Sequence, residues 1–253
     1  MNMKKILATL MVLTLSILTV ASAANADPFD QVIQRWTKTR NYVEKEMLGT
    51  LDVKATYSSA EYIEALMQQE AKKNLWTQQE LDDYKYNFLG ALRLNEMIPI
   101  MIYFNNNAES MHLGPFDIHV KLRIGDNVYK PVDYDKRFNF KLQGEREGLV
   151  FFPRFDKKTG KDLLKGVKSV VLEMDSAISP ATEGIDTRFM WDVANDDPAK
   201  LYQGKTASKF ETDRLLKRLD KLKKDKTGLE SQLKAVNDEI GTIQKRLDGL
   251  AKK

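Results

Sequence analysis

Few side chains in this 253-residue chain have the types and spacing that catalysis requires. The chain has two histidines, and a hydrolase triad would need one of them beside a serine and an acid. His112 lies in a loop before Gly114-Pro115, and His119 lies on the polar side of an alternating stretch, where we expect it to be exposed. The chain has no cysteine, which excludes thiolate nucleophiles, thiolate zinc sites and disulfides.

Several short polar patterns resemble catalytic or metal-binding motifs. The segment Ser231-Gln232-Leu233-Lys234 matches the S-x-x-K pattern of serine acyl transfer, but it lies inside a heptad repeat. Three acidic groups that could bind calcium or act as paired carboxylates are better interpreted as turn or edge residues: Asp156 with Asp162, Asn195-Asp196-Asp197, and Asp133 with Asp135. We therefore predict no catalytic residue, no cofactor and no metal, and a non-enzymatic protein.

A run of bases between residues 217 and 226 forms a basic patch: Lys217, Arg218, Lys221, Lys223, Lys224 and Lys226. The patch could bind an anionic envelope polymer, acidic lipid headgroups or a negatively charged client. The alternative is the solvated outer face of a coiled coil.

The heptad repeat is the strongest pattern in the sequence. With Leu215 at position d, ten of the eleven a and d positions are apolar, and Lys226 is the exception. We call these ten residues the seam: Leu215, Leu219, Leu222, Leu229, Leu233, Val236, Ile240, Ile243, Leu247 and Leu250. Because the repeat stays in phase across Thr227-Gly228, we expect one helix; a hairpin hinged there is the alternative.

An apolar stripe of this length needs a partner in water. In a parallel pair the flanking charges place Arg218 near Lys223 and Asp225 near Glu230, whereas an antiparallel pair brings Asp225 to Arg246. We therefore expect an antiparallel homo-oligomer, or docking on the helices of an envelope partner, ahead of a parallel dimer.

The first 26 residues have the pattern of a secretory signal peptide. Lys4 and Lys5 precede an apolar run over 6–20, and small-residue frames end at Ala23 and Ala26. We expect cleavage after Ala26 and a periplasmic or secreted protein with no membrane span, the alternative being a retained anchor. Removing the two lysines from the net charge of +4 leaves +2, which, together with export, argues against nucleic acid.

The remaining elements predict an α+β protein. Residues 27–96 are expected to be a helical N-terminal segment, with a helix continuing to Met47 and a short strand from Leu51. A helix pair over 60–73 and 78–93 follows, preceded by capping boxes at Ser58–Glu61 and Thr77–Glu80. Alternating strands over 97–195, including 116–124, predict an antiparallel β-sandwich of immunoglobulin-like size. A linker over 196–207 leads to a coiled-coil helix over 208–253.

These observations favour an exported, non-enzymatic cell-envelope protein that binds or scaffolds, and that self-associates or docks a partner through its C-terminal coiled coil. Two alternatives stay open. One is a periplasmic holdase-type chaperone whose helical arms embrace unfolded acidic clients. The other is a carbohydrate-binding or hydrolase module that uses sandwich aromatics as a platform: Tyr103, Tyr129, Tyr134 and Trp191.

Overall fold

The structure, a computed structural model, describes residues 28–43 and 49–251. The chain divides into a mixed helix-and-sheet unit that ends at Tyr202 and a helical unit that begins at Gln203. The predicted signal peptide, residues 1–26, lies outside the described residues. The α+β class, the antiparallel pairing and the long C-terminal helix are confirmed.

The helices of the described chain are α1 (Pro28–Trp36), α2 (Ala60–Asn74), α3 (Gln78–Leu92), the single turn α4 (Phe116–His119) and α5 (Gly204–Ala251). The strands are β1 (Thr37–Val43), β2 (Thr50–Tyr57), β3 (Met97–Met111), β4 (Val120–Ile124), β5 (Asn127–Tyr129), β6 (Asp133–Tyr134), β7 (Leu142–Pro153), β8 (Ser169–Met174) and β9 (Thr187–Asp192). Among these described helices, none is both long and apolar enough to cross a membrane.

The strands form two antiparallel sheets. One has the order β1-β2-β3-β7-β6 and the other the order β5-β4-β8-β9. Along β2, alternate residues such as Leu51 and Val53 are fully buried, and β9 shows the same alternation at Phe189 and Trp191. The buried side chains of both sheets belong to one continuous apolar cluster, which is the core of this unit. The sandwich packing stays a prediction.

The first helix is shorter than predicted. Helix α1 ends at Trp36, and the chain continues as β1, which pairs antiparallel with β2. The Trp36 carbonyl accepts a hydrogen bond of 2.8 Å from the Trp191 indole nitrogen. In a longer helix this carbonyl would instead accept from a backbone amide one turn later. Thr37, Thr39 and Val43 are β-branched and favour a strand over a helix. Because β1 and β2 join the sheet of β3 and β7, the sheet unit begins well before residue 97.

The helix pair is confirmed as α2 and α3. Thr77 and Glu80 form the predicted capping box at the start of α3. The box predicted at Ser58 is wrong: the capping residue of α2 is Ser59, whose hydroxyl accepts from the Tyr62 amide. Glu61, the expected acid of that box, instead accepts hydrogen bonds from Arg35 and Trp36.

The strand predicted over 116–124 begins four residues late, at Val120. Val120 pairs with Met174, the last residue of β8, so the residues before it have no strand to pair with. The backbone instead makes the turn α4, and Phe116 stacks on Phe138 with ring centres 4.6 Å apart. Ile118, expected on the apolar face, is exposed as a result.

Helix α5 begins inside the predicted linker. It starts at Gly204 and runs without interruption through Thr227-Gly228, so the continuous helix is confirmed and the hairpin alternative is wrong. The Thr227 hydroxyl donates to the Lys223 carbonyl at 3.0 Å, which is a bond within a helix rather than a cap. At 1.5 Å per residue, the 48 residues make a rod of about 72 Å.

Replacing Gly228 by alanine is expected to stabilise α5 locally. A Cβ at Gly228 would meet no atom within 4 Å, and alanine in a helix interior is favoured over glycine by about 1 kcal/mol. Hydrogen exchange of the surrounding amides should therefore slow about fivefold. Gly125→Ala, at a φ of +58°, should instead destabilise its turn. Unchanged or faster exchange in Gly228→Ala would mean that α5 bends at this glycine.

Candidate functional site

The seam forms an exposed apolar stripe along α5. Each of its ten side chains lies on the helix surface and is between 47% and 65% exposed. Large aliphatic side chains are usually removed from water, and a stripe at positions a and d is the face that a second helix covers in a coiled coil. The stripe is therefore the strongest candidate site of the chain, and its chemistry is binding.

The charges beside the seam differ in whether they are already paired. Lys226, the one polar a residue, lies 3.6 Å from the Glu230 carboxylate one turn later. Asp225 and Arg246 flank the seam and make no ion pair within the described part of the chain. These two opposite charges stay available for an approaching helix.

The basic patch does not form one face of α5. Lys217, Lys221 and Lys224 share a face through their i, i+4 and i+7 spacing, and this face is opposite the seam. Arg218 and Lys223 flank the seam, and Lys226 lies in it. A helix covering the seam would therefore leave three of the six bases in water, so the patch is divided between two surfaces.

The two histidines are not brought together with a serine and an acid into a triad. His112 is exposed, as expected for its loop. His119 is half-buried in α4, so the prediction that it is exposed on a strand is wrong. Ser231 of the S-x-x-K match donates its hydroxyl to the Thr227 carbonyl at 3.0 Å on the surface of α5, so this match is part of a helix.

The acidic turns are occupied by structural hydrogen bonds and ion pairs. The Asp156 carboxylate accepts from the amides of Lys158 and Thr159, and these bonds lower its pKa. Asp135 forms a salt bridge of 2.6 Å with Arg137, and Asp133 lies within salt-bridge distance of Arg93 and Lys136. Within residues 28–43 and 49–251 no cluster of three or more His, Asp or Glu side chains could hold a metal ion.

Sequence reasoning missed a half-buried polar contact around Asp196. Its carboxylate accepts from the Ala60 amide at 2.8 Å and from the Tyr57 hydroxyl at 3.2 Å, so it ties the start of α2 to β2. Burial raises the pKa of Asp196 and raises that of Tyr57 well above its usual range. The sequence pattern Asn-Asp-Asp-Pro is typical of a turn and gives no sign that Asp196 is half-buried and hydrogen-bonded to Ala60 and Tyr57.

Removing the Asp196 carboxylate is expected to destabilise the first unit. Asp196→Ala leaves the Ala60 amide and the Tyr57 hydroxyl without their acceptor and should lower the free energy of unfolding by about 2 kcal/mol. Asp196→Asn keeps an acceptor without a charge, and should be at least as stable as the natural chain at neutral pH. Urea unfolding monitored by tryptophan fluorescence measures both.

The same variants give a pH test. A carboxyl with a raised folded-state pKa stabilises the fold below its unfolded pKa of about 3.9, and that contribution is lost as the pH rises through the folded-state pKa. The stability of the natural chain relative to Asp196→Asn should therefore fall as the pH rises above about 3.9. A difference that does not change with pH would contradict this account.

The four aromatic residues of the platform hypothesis do not share one surface. Trp191 is buried in the core, and Tyr129 lies on the four-stranded sheet. Tyr103 and Tyr134 lie on the five-stranded sheet. The Lys54 ammonium lies 5.0 Å from the Tyr103 ring centre, and partial burial, followed by the nearby Glu145, raises the pKa of Tyr103 to about 12. The platform would need Trp191 exposed, so the geometry does not favour it.

Comparison with known proteins adds little to this geometry. No protein-family model matches the chain, and no curated protein matches it. A solved structure of a novel protein of unknown function from Burkholderia pseudomallei is similar at 12% sequence identity, with 65% of this chain and 81% of that chain covered and a TM-score of 0.32. A likeness this distant carries no argument about fold or function.

Proposed function

We propose that this chain is an exported, non-enzymatic binding or scaffold protein of the cell envelope, and that α5 joins it to a second copy or to the helices of a partner. The observation that carries the proposal is the exposed seam, ten aliphatic side chains on one stripe of an unbroken helix. Covering such a stripe removes apolar surface from water at about 25 cal/mol per Å², which favours association. The proposal assigns no catalytic step.

The proposal includes a β-sandwich for the first unit. Two hydrogen bonds support it, one between the sheets and one from β9 to the last residue of α1, besides the common apolar core of the sheets. The Trp191 indole on β9 donates to the Trp36 carbonyl at 2.8 Å, and the hydroxyls of Tyr42 on β1 and Thr187 on β9 lie 2.6 Å apart. In this interpretation the sandwich is a rigid body and α5 is its means of attachment.

The export part of the proposal rests on the sequence of residues 1–26. A reporter that is active only outside the cytoplasm, fused after residue 253, should be active with the natural leader. It should lose activity when residues 1–26 are removed. A reporter fusion that is made but stays inactive with the leader intact would contradict export.

Cross-linking of the full chain in intact cells tests the binding role. We expect cross-linked species in the envelope fraction that disappear in Leu233→Gln/Ile240→Gln. They should persist in Ser231→Gln/Asp238→Gln, a control on the opposite face of the same helix turns. Cross-links that survive both changes would place binding elsewhere. If the seam variant instead lost the ability to suppress aggregation of an unfolded client, with no stable complex in the natural chain, the holdase alternative would replace the scaffold.

A further inference from the structure

We propose that the seam of α5 is covered by a second copy of this chain, lying antiparallel and centred between Lys234 and Ala235. This inference rests on the proposed function, which requires that α5 bind something, and it specifies the partner, its direction and its register. The charges and the one polar residue along the seam carry the argument.

A parallel in-register pair is disfavoured at the seam itself. Equal a positions face each other in that arrangement, so the two Lys226 ammonium groups would meet between the helices. The flanking positions add repulsion, since Arg218 would face Lys223 and Asp225 would face Glu230, each twice by symmetry. In the parallel arrangement no opposite charges face each other across the helices.

An antiparallel pair faces a positions with d positions and removes this conflict. With the centre between Lys234 and Ala235, the seam residues from Leu219 to Leu250 all find apolar partners except for one layer. That layer places Lys226 beside Ile243 of the second copy, while the ammonium keeps its own Glu230 at 3.6 Å. The remaining layers are Leu219 with Leu250, Leu222 with Leu247, Leu229 with Ile240, and Leu233 with Val236.

The flanking charges select this register among the antiparallel ones. Asp225 faces Arg246 of the second copy twice, and neither of these two side chains makes an ion pair within the described chain. Beside them the Gln232 amide faces the Glu239 carboxylate. Opposite charges across the helices therefore coincide with apolar layers from Leu219 to Leu250, apart from the layer of Lys226 and Ile243.

Shifting one helix of the pair by one heptad in either direction loses either the opposite-charge contacts or part of the apolar contact. Centred on Ser231, the seam is still filled from Leu215 to Leu247, but three like-charge contacts arise: Arg218 with Arg246, Asp225 with Glu239, and Glu230 with itself. Centred on Asp238, Leu219 and Leu222 lose their partners and Glu239 faces itself. Charge decides against the first shift, and lost apolar contact decides against the second.

Nitroxide distances on the full chain test the register without disturbing the seam. The chain has no cysteine, so Lys224→Cys and Lys245→Cys each introduce one labelling site, and both positions point away from the seam. The two sites are equally far from the proposed centre. Pulsed dipolar spectroscopy should therefore give the same distance for both variants, with an axial component of about 32 Å.

Each alternative arrangement of the two helices predicts a different pair of distances between the labels. A pair centred on Ser231 gives axial components of about 21 Å for Lys224→Cys and about 42 Å for Lys245→Cys, and a pair centred on Asp238 gives the reverse. A parallel pair gives short distances for both sites. These three results would overturn the register while leaving self-association intact. Absence of any dipolar coupling would overturn self-association itself.

Charge reversal gives an independent test. Asp225→Arg should weaken self-association about tenfold, because two attractive contacts become repulsive. Adding Arg246→Asp to the same chain should restore the affinity to within about twofold of the natural chain. Asp238→Arg, on the outer face, is the control and should leave the affinity unchanged. Failure of the double reversal to restore affinity would contradict the Asp225–Arg246 contact.

Discussion

The double substitution Leu233→Gln/Ile240→Gln should weaken self-association of the full chain at least about 1000-fold, as measured by sedimentation velocity over a dilution series. In a symmetric pair these two changes remove four aliphatic side chains from the seam. At a minimum of about 1 kcal/mol for each, the loss is about 4 kcal/mol. Glutamine and leucine have similar helix propensities, so the effect would come from the interface and not from the helix.

The outer-face substitution Ser231→Gln/Asp238→Gln is the matched control, since it changes two residues in the same turns of α5. We expect its dissociation constant to stay within about threefold of the natural value. Equal weakening by both variants would mean that a general effect on α5, and not coverage of the seam, controls association.

The second large effect is expected in the core of the sheet unit. Trp191→Ala should lower the free energy of unfolding by about 4 kcal/mol, because it empties a buried site in the apolar cluster and removes the hydrogen bond to Trp36. Trp191→Phe retains an aromatic ring but not the donor, and should cost about 2 kcal/mol. Urea unfolding monitored by circular dichroism provides the comparison.

Met190 supplies the control on the same strand. Its side chain points away from the core and is 64% exposed, so Met190→Ala should change stability by no more than about 0.5 kcal/mol. If Trp191→Ala were as mild as Met190→Ala, Trp191 would not hold β9 against the end of α1 and the core. The sandwich proposal would then lose one of its main supports.

Local sequence patterns predicted several elements well, since the signals there were strong and short-range. The Thr77–Glu80 capping box and the spacing of apolar residues predicted α3, and unbroken heptad phase predicted one helix through Gly228. The alternation from Leu51 to Tyr57 predicted β2. In each case residues close in sequence determine the conformation.

The errors occurred where distant residues determine the backbone. The Trp36 carbonyl is taken by Trp191, 155 residues away, and β1 is defined by its pairing with β2. The stretch 116–119 alternates like a strand, but the ladder between β4 and β8 ends at the pair of Val120 and Met174. A periodic pattern in one segment cannot indicate that its neighbour is absent.

The candidate site has one feature that local spacing predicted and one that it did not. Spacing alone located all ten seam residues, and their exposure on α5 agrees with that analysis. Spacing did not indicate that Asp225 and Arg246 are without ion pairs in the described chain while Lys226 is paired with Glu230. Side-chain geometry was needed for that distinction, whereas the facing of Asp225 and Arg246 follows from their heptad positions in the sequence.

The mass of the full chain in solution tests the central claim most directly. Sedimentation equilibrium from nanomolar to high micromolar concentration should show a reversible transition from one chain to two, with α5 as the contact. A chain that stays monomeric at every concentration, with the seam side chains of α5 accessible to solvent, would contradict the claim that a second copy covers the seam.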